Sequence, residues 1–152
     1  MSGVTIVEKV EPREAKTDLE IQKCFDVMSE LRTHLVREEF LETIRGMEKD
    51  GYRLAFIEDE DGVVAAAGYR IHSTLFMGKH LYVDDLVTSE SVRSKGYGKL
   101  LLDWLRDKAR SADCQYFRLD SGTARSQAHK FYFNQGFSIG AFSFSERLTE
   151  SQ

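Results

Sequence analysis

The chain has 152 residues, with 41% apolar and 30% charged side chains, enough to bury a core of its own and unlike a disordered segment. Its 21 Lys/Arg against 25 Asp/Glu leave a net charge of −4, a poor balance for a protein that lives on nucleic-acid phosphates. Cys24 and Cys114 stand far apart with no CxxC and no histidine at finger spacing, and the longest apolar run is Val63 to Ala67; this excludes a disulfide scaffold, a zinc finger and a membrane-spanning helix, and reads as a reduced, cytoplasmic protein.

Val4 to Val10 reads as a first strand, with Glu8 and Lys9 interrupting it before a signal-like apolar stretch forms. Thr17 followed by Glu20 is a capping box. Behind it, Ile21, Cys24, Phe25, Met28, Leu31 and Leu35 return at three- and four-residue steps, which predicts one amphipathic helix. Phe40, Leu41, Ile44 and Met47 predict a second helix, stopped by Gly51. Tyr52 to Glu58 and Val63 to Ile71 read as strands joined by Asp61-Gly62, a hairpin turn because glycine accepts the positive φ it requires. Leu81 to Thr88 is another strand. Leu101, Leu102, Leu105 and Ala109 mark a third helix, and Gln115 to Asp120 a short strand. Ala128, Phe131 and Tyr132 share one face of a fourth helix closed by Gly136, and Phe137 to Leu148 reads as one or two final strands. There is no repeat, low-complexity tract or Gly/Pro-rich linker, so residues 1–152 read as one domain of mixed α/β class.

The segment richest in chemical content is the turn at 93–98. Gly96 and Gly98 flank one residue between a strand and a helix, a pattern that lets several backbone N–H groups converge at a helix N-terminus on an anion. A Walker A loop requires GxxxxGK[ST], which is absent, and a dinucleotide fingerprint fails because Leu101 stands where the third glycine belongs. Residues 93–110 carry six Lys/Arg against two Asp within a chain that is negative overall. The remaining readings of this segment are an RxxGxG anion loop and a solvated basic helix preceded by a glycine turn.

Asp85 to Thr88, followed by Arg93-Ser94-Lys95-Gly96-Tyr97-Gly98-Lys99, resembles motif A of the GNAT superfamily of N-acyltransferases. Leu119 to Gly122, Ala128-His129, Phe131-Tyr132 and Gly136-Phe137 are similar to its motif B, and the element order matches over nearly the whole chain. The resemblance implies a central mixed, mostly antiparallel sheet of six to seven strands, flanked by about four helices and splayed at the cofactor strand. It also implies acetyl-CoA as co-substrate, with no metal, and acetyl transfer to a primary amine of a small molecule or peptide through a ternary complex. Backbone groups of Ser94, Lys95, Gly96, Tyr97, Gly98 and Lys99 would hold the pyrophosphate, with charge from Arg93 and Lys95. The backbone of Leu86, Val87 and Thr88 would pair with the pantetheine. Tyr132 would be the general acid, and Arg125 and His129 further cofactor contacts. Many members carry asparagine where this chain has Arg125, so that side-chain role is not carried over, though an arginine there could meet a phosphate.

Asp84 and Asp85 are candidates to take a proton from an ammonium acceptor, and Asp85 is named for that role; strict alternation puts the two on opposite faces. With Glu38, Glu39 and Glu42 they suggest a basic amine acceptor. His34, His72 and His80 read as surface or capping residues. Cys24 reads as core, and Cys114 has nothing around it that argues for a reactive thiolate. Asp120, Ser121 and His129 include the residue types of a hydrolase triad, but the GxSxG elbow is missing. Phe131, Tyr132, Phe133, Phe137, Phe142 and Phe144 read as mostly core. No nucleic-acid or membrane partner is expected; by analogy with the fold, a homodimer through the late strands is. The alternative from another class is a non-catalytic acyl-CoA-binding regulatory or interaction module.

Overall fold

A computed structural model describes residues 10–150 and divides the chain into two units, one ending at Leu119 and the other beginning at Asp120. The first strand predicted at 4–10 lies outside the described residues except for Val10. In the first unit the order is β1 (Arg13–Glu14), α1 (Asp18–Lys23), α2 (Phe25–Leu31), α3 (Arg37–Glu48), β2 (Arg53–Asp59), β3 (Gly62–Thr74) and β4 (Gly78–Thr88). A 3-10 helix (Glu90–Lys95), α4 (Tyr97–Ser111) and β5 (Tyr116–Leu119) complete it. The second unit holds α5 (Ser126–Asn134).

The capping box forms as its spacing predicts. The Thr17 hydroxyl accepts the Glu20 N–H at 3.1 Å, while the Glu20 carboxylate accepts the backbone N–H groups of Thr17 and Lys16 at 3.0 Å each. Those N–H bonds, Thr17 first, pull the Glu20 pKa from 4.5 down to about 2. A depressed carboxylate stabilises the fold above its unfolded pKa and loses that contribution as pH falls through the folded one. Glu20→Gln is therefore expected to melt below the parent protein at neutral pH. Paired thermal melts should show the gap narrowing as pH drops from about 4.5 toward 2. The single helix expected over 17–35 is instead two, because Cys24 sits between them at φ −80°, ψ −9°. Cys24 is fully buried, as its place on the apolar face predicts, and burial pushes its thiol up to about 12.

The sheet runs β1-β2-β3-β4-β5, antiparallel through β4, with β5 added parallel to β4. This is the mixed, mostly antiparallel architecture expected, with five strands among the described residues rather than six or seven. Two apolar layers cover the first unit's sheet. On one face Ile21, Phe25, Met28, Phe40 and Ile44 of α1–α3 pack on Leu54, Phe56, Ala66 and Val87. On the other, Leu101, Leu105 and Ala109 of α4 pack on Ala65, Ala67, Tyr69, Leu81 and Val83. Each layer is the apolar stripe that the helical spacing announces.

Three expectations are corrected. Phe137 to Leu148 forms no strand, and Phe142, Phe144 and Leu148 are exposed, as is Phe133. A period-two pattern says which side of an extended segment is apolar, but a strand also needs a ladder partner. His80 is fully buried rather than at the surface, its Nδ1 3.0 Å from the Gly78 carbonyl and its Nε2 without a partner. Asp84 and Asp85 do not face opposite ways, for a reason given below. No helix among the described residues is long and apolar enough to cross a membrane.

Candidate active site

The 93–98 turn and the end of β4 lie in the first unit, joined by the 3-10 helix. Gly96 adopts φ +79°, ψ 17°, a left-handed conformation, and opens α4 with no side-chain cap and no acidic residue in the first turn. The first N–H groups of a helix lack intrahelical partners, so an uncapped start presents donors and the positive end of the helix dipole together. Arg93 and Lys95 are exposed beside it. Lys99 is engaged with Asp103 at 2.6 Å one turn along α4. The Tyr97 hydroxyl donates to Asp59 at 3.0 Å, which ties the start of α4 to the end of β2.

The second feature is a free strand edge. β5 pairs with β4 only from His80–Tyr116 to Val83–Leu119, whereas β4 continues on β3 as far as Thr88–Ala65. Beyond Val83 the outer edge of β4, including Leu86, Val87 and Thr88, has no ladder partner among the described residues. An exposed edge presents N–H and C=O groups to any extended, amide-containing chain that lies beside it. Val87 is itself nearly buried, at 7% exposure, so its side chain belongs to the core. The Ser89 N–H donates to the Val64 carbonyl, so by alternation Val87 is turned to Ala66 and the outward donors are those of Leu86 and Thr88. Thr88→Pro removes one of them and is expected to lose far more CoA affinity than Thr88→Ala. Calorimetry on both variants checks this, with thermal melts as the folding control. Equal affinities would mean that the pantetheine runs elsewhere.

At the point where the strands part, β4 bulges. Gly68 pairs with Asp85 but Tyr69 pairs with Val83, which leaves Asp84 as the extra residue. Val83 and Leu86 both pack toward α4, so Asp84 and Asp85 between them share the opposite face. A bulge sets two residues against one and suspends the alternation. Both carboxylates are met by arginine. Arg70 donates to the two Asp84 oxygens at 3.0 and 2.8 Å, and Arg32 Nε donates to Asp85 at 2.9 Å. The Tyr52 hydroxyl donates to the other Asp85 oxygen at 2.8 Å. Of the glutamates thought to favour a basic acceptor, Glu38 and Glu42 line an open groove of about 470 Å³ with Phe25, Arg37 and Phe40.

In the second unit, Tyr132 is half-buried on α5, edge-on to Phe131 and Phe137 at ring separations of 5.5 and 5.9 Å. Burial raises its pKa above the usual 10, against a smaller lowering by Arg125. His129 Nε2 lies 2.7 Å from the Gly122 carbonyl, and Arg125 stands immediately before α5. His129 thus ties down the turn that leads into the helix. The Ser121 hydroxyl oxygen is buried without a partner among the described residues. Sequence reasoning missed Arg32, Tyr52 and Arg70 altogether. Their signal is a contact across many residues of chain, which local spacing does not carry. Among the described residues no group of three or more His, Cys, Asp or Glu is placed to hold a metal ion.

Comparison with known proteins shows the family and the fold. The profile described as the Acetyltransferase (GNAT) family matches residues 19–137. An uncharacterized N-acetyltransferase of Bacillus subtilis, YhdJ, is 38% identical over 122 residues, spanning 79% of this chain and 86% of that protein. The aminoalkylphosphonate N-acetyltransferase of Salmonella typhimurium is 28% identical over 99 residues, 64% of this chain and 62% of that protein. A solved structure described as a transcriptional regulator from Bacillus halodurans shares the fold at a TM-score of 0.81 and 17% identity, covering 92% of this chain and all of that one.

Proposed function

The chain belongs to the GNAT family of acetyltransferases, and from that premise we propose that it transfers an acetyl group from acetyl-CoA to a primary amine within a ternary complex. The observation that carries this reading is the pairing of an open β4 edge over residues 84–88 with an uncapped α4 start at Gly96, joined by one short turn. A Cβ built on Gly96 meets nothing within 4 Å, so the cradle has room for a phosphate oxygen. The pyrophosphate would rest on N–H groups of residues 94–99, with Arg93 and Lys95 supplying charge. The pantetheine amides would pair with Leu86 to Thr88. Arg125 and His129 are carried as further contacts by their motif positions.

In the reaction a neutral amine attacks the thioester carbonyl, the C–N bond forms, and the tetrahedral intermediate expels CoA thiolate. Two protons move: one leaves the attacking nitrogen, and one goes to the sulfur. Tyr132 gives the second. Its phenol is protonated at neutral pH, and burial extends that state upward. Positioning of amine and thioester supplies most of the rate. A small amine acceptor fits the name of the Salmonella relative, which acts on an aminoalkylphosphonate.

The decisive experiment is free-thiol release from acetyl-CoA across chemically diverse amines. Release with at least one class supports the reading and ranks the acceptors. CoA binding with no release across the panel would leave the chain as an acyl-CoA-binding module.

A further inference from the structure

The bulge in β4 is gripped from outside the sheet. Arg32, at the end of α2, donates through Nε to Asp85 at 2.9 Å and through its terminal nitrogen to the Asp84 carbonyl at 3.1 Å. One guanidinium therefore bridges a backbone carbonyl of the bulge and the next residue's carboxylate. Tyr52, 2% exposed, closes the other Asp85 oxygen at 2.8 Å. Its ring lies over Gly68, the residue opposite Asp85 in the ladder. A Cβ there would come within 1.8 Å of the tyrosine oxygen, so glycine is needed for the hydroxyl to reach Asp85. A second tie holds the far end of the free edge, where Glu30 of α2 accepts the Glu90 N–H at 2.9 Å. Glu30 of α2 and Arg32 just after it thus hold the chain on both sides of residues 85–88, at the β4 bulge and at the start of the 3-10 helix.

We infer that Asp85 serves as an anchor rather than a base, and that Arg32 and Tyr52 are positioning residues acting through it to shape the acyl end of β4. This rests on reading the free edge of β4 as the strand that holds the donor. A bulge interrupts the ladder, and the strand takes one shape there only if other contacts choose it. Charge-assisted bonds at both Asp85 oxygens and a bond at the Asp84 carbonyl make that choice. Proton abstraction by Asp85 would break the contacts that hold the strand, whereas a fixed anion keeps them. Arg32 and Tyr52 stand 53 and 33 residues from Asp85 in the chain, so the lock also joins the helical layer to the sheet at the point where β4 and β5 part.

The test compares Arg32→Gln, Tyr52→Phe, Asp85→Asn and the double variant Arg32→Gln/Asp85→Asn by thiol release and by amide hydrogen exchange. For each single variant turnover is expected to fall roughly ten- to a hundredfold, with KM for acetyl-CoA within about twofold, as small misplacement of reacting groups predicts. The double variant should fall no further than the worse single one, because both changes break one unit. Arg32→Lys should recover part of the loss. The pH profile of Asp85→Asn should keep the parent shape; Arg32 and Tyr52 contact Asp85, Asp84 with its Arg70 partner is its neighbour, and the Cys24 thiol lies toward Tyr52. If Asp85→Asn alone loses activity and removes one limb of the profile, while Arg32→Gln and Tyr52→Phe remain normal, Asp85 is a base and the inference fails. If the parent protein releases no thiol with any amine, the acetyl-transfer reading fails instead. Hydrogen exchange still decides the lock in that case. Faster exchange at residues 84–87 in Arg32→Gln, with α4 unchanged, supports it; identical exchange overturns it.

Discussion

Gly96→Val is expected to leave the chain folded and to abolish measurable CoA binding. The residue occupies φ +79°, a region that a β-branched side chain enters only at a cost of about 1–3 kcal/mol. Yet among the described residues nothing beyond its chain neighbours stands within 4 Å of the added Cβ, so no core contact is lost and the strain is confined to the turn. Relief of that strain rotates the peptide units on either side of residue 96, which carry the first N–H groups of α4. The new side chain also fills the space in front of them. Anion binding is lost twice over, once by re-aimed donors and once by bulk. Gly96→Ala, with a smaller side chain but the same φ conflict, should fall between parent and valine variant. Calorimetry with CoA and a thermal melt on each variant decide the matter. A folded Gly96→Val protein with parental affinity would remove the pyrophosphate from this turn. Arg93→Ala should weaken binding modestly, because the backbone donors remain.

Tyr132→Phe carries the second large effect. It keeps the ring, and with it the edge contacts to Phe131 and Phe137, and deletes only the hydroxyl. A general acid contributes roughly 10²–10⁴-fold, so turnover should drop by at least the lower figure while KM for acetyl-CoA barely moves. Since burial raises the phenol's pKa above its usual value, the parent enzyme should lose the acid form at a higher pH than a free phenol does. Pre-steady-state thiol release, with chemistry limiting, is the measurement. A fall of less than about threefold would be too small for a general acid. It would leave Tyr132 as a packing residue against Phe131 and Phe137.

Local signals proved sufficient where a residue's neighbours in sequence are also its partners. Thr17 and Glu20 are three apart and bond each other. Gly62 accepts φ +111° at the hairpin its dipeptide predicts. Leu101, Leu102, Leu105 and Ala109 are buried on the face that their spacing defines. Motif A was legible for the same reason: turn, glycine and helix start are contiguous, and so is their chemistry. The helix break at Cys24 was not legible, because an apolar stripe continues across it. The late aromatic segment misled for the converse reason, since its alternation is a property of the segment and its pairing is not.

The sequence by itself determined the elements from α3 to α5, the glycine turn that opens α4, and the family resemblance carried by that turn. The tertiary structure alone decided the shape of β4 beyond Val83. It parts β5 from β4 after Val83 and Leu119, places the extra residue at Asp84, and turns both aspartates to one face. It also brings Arg32, Tyr52 and Arg70 onto those two carboxylates. Register and bulges are set by how whole strands and layers fit together. A one-residue slip there redirects every side chain beyond it, and no pattern within the strand's own residues records the slip.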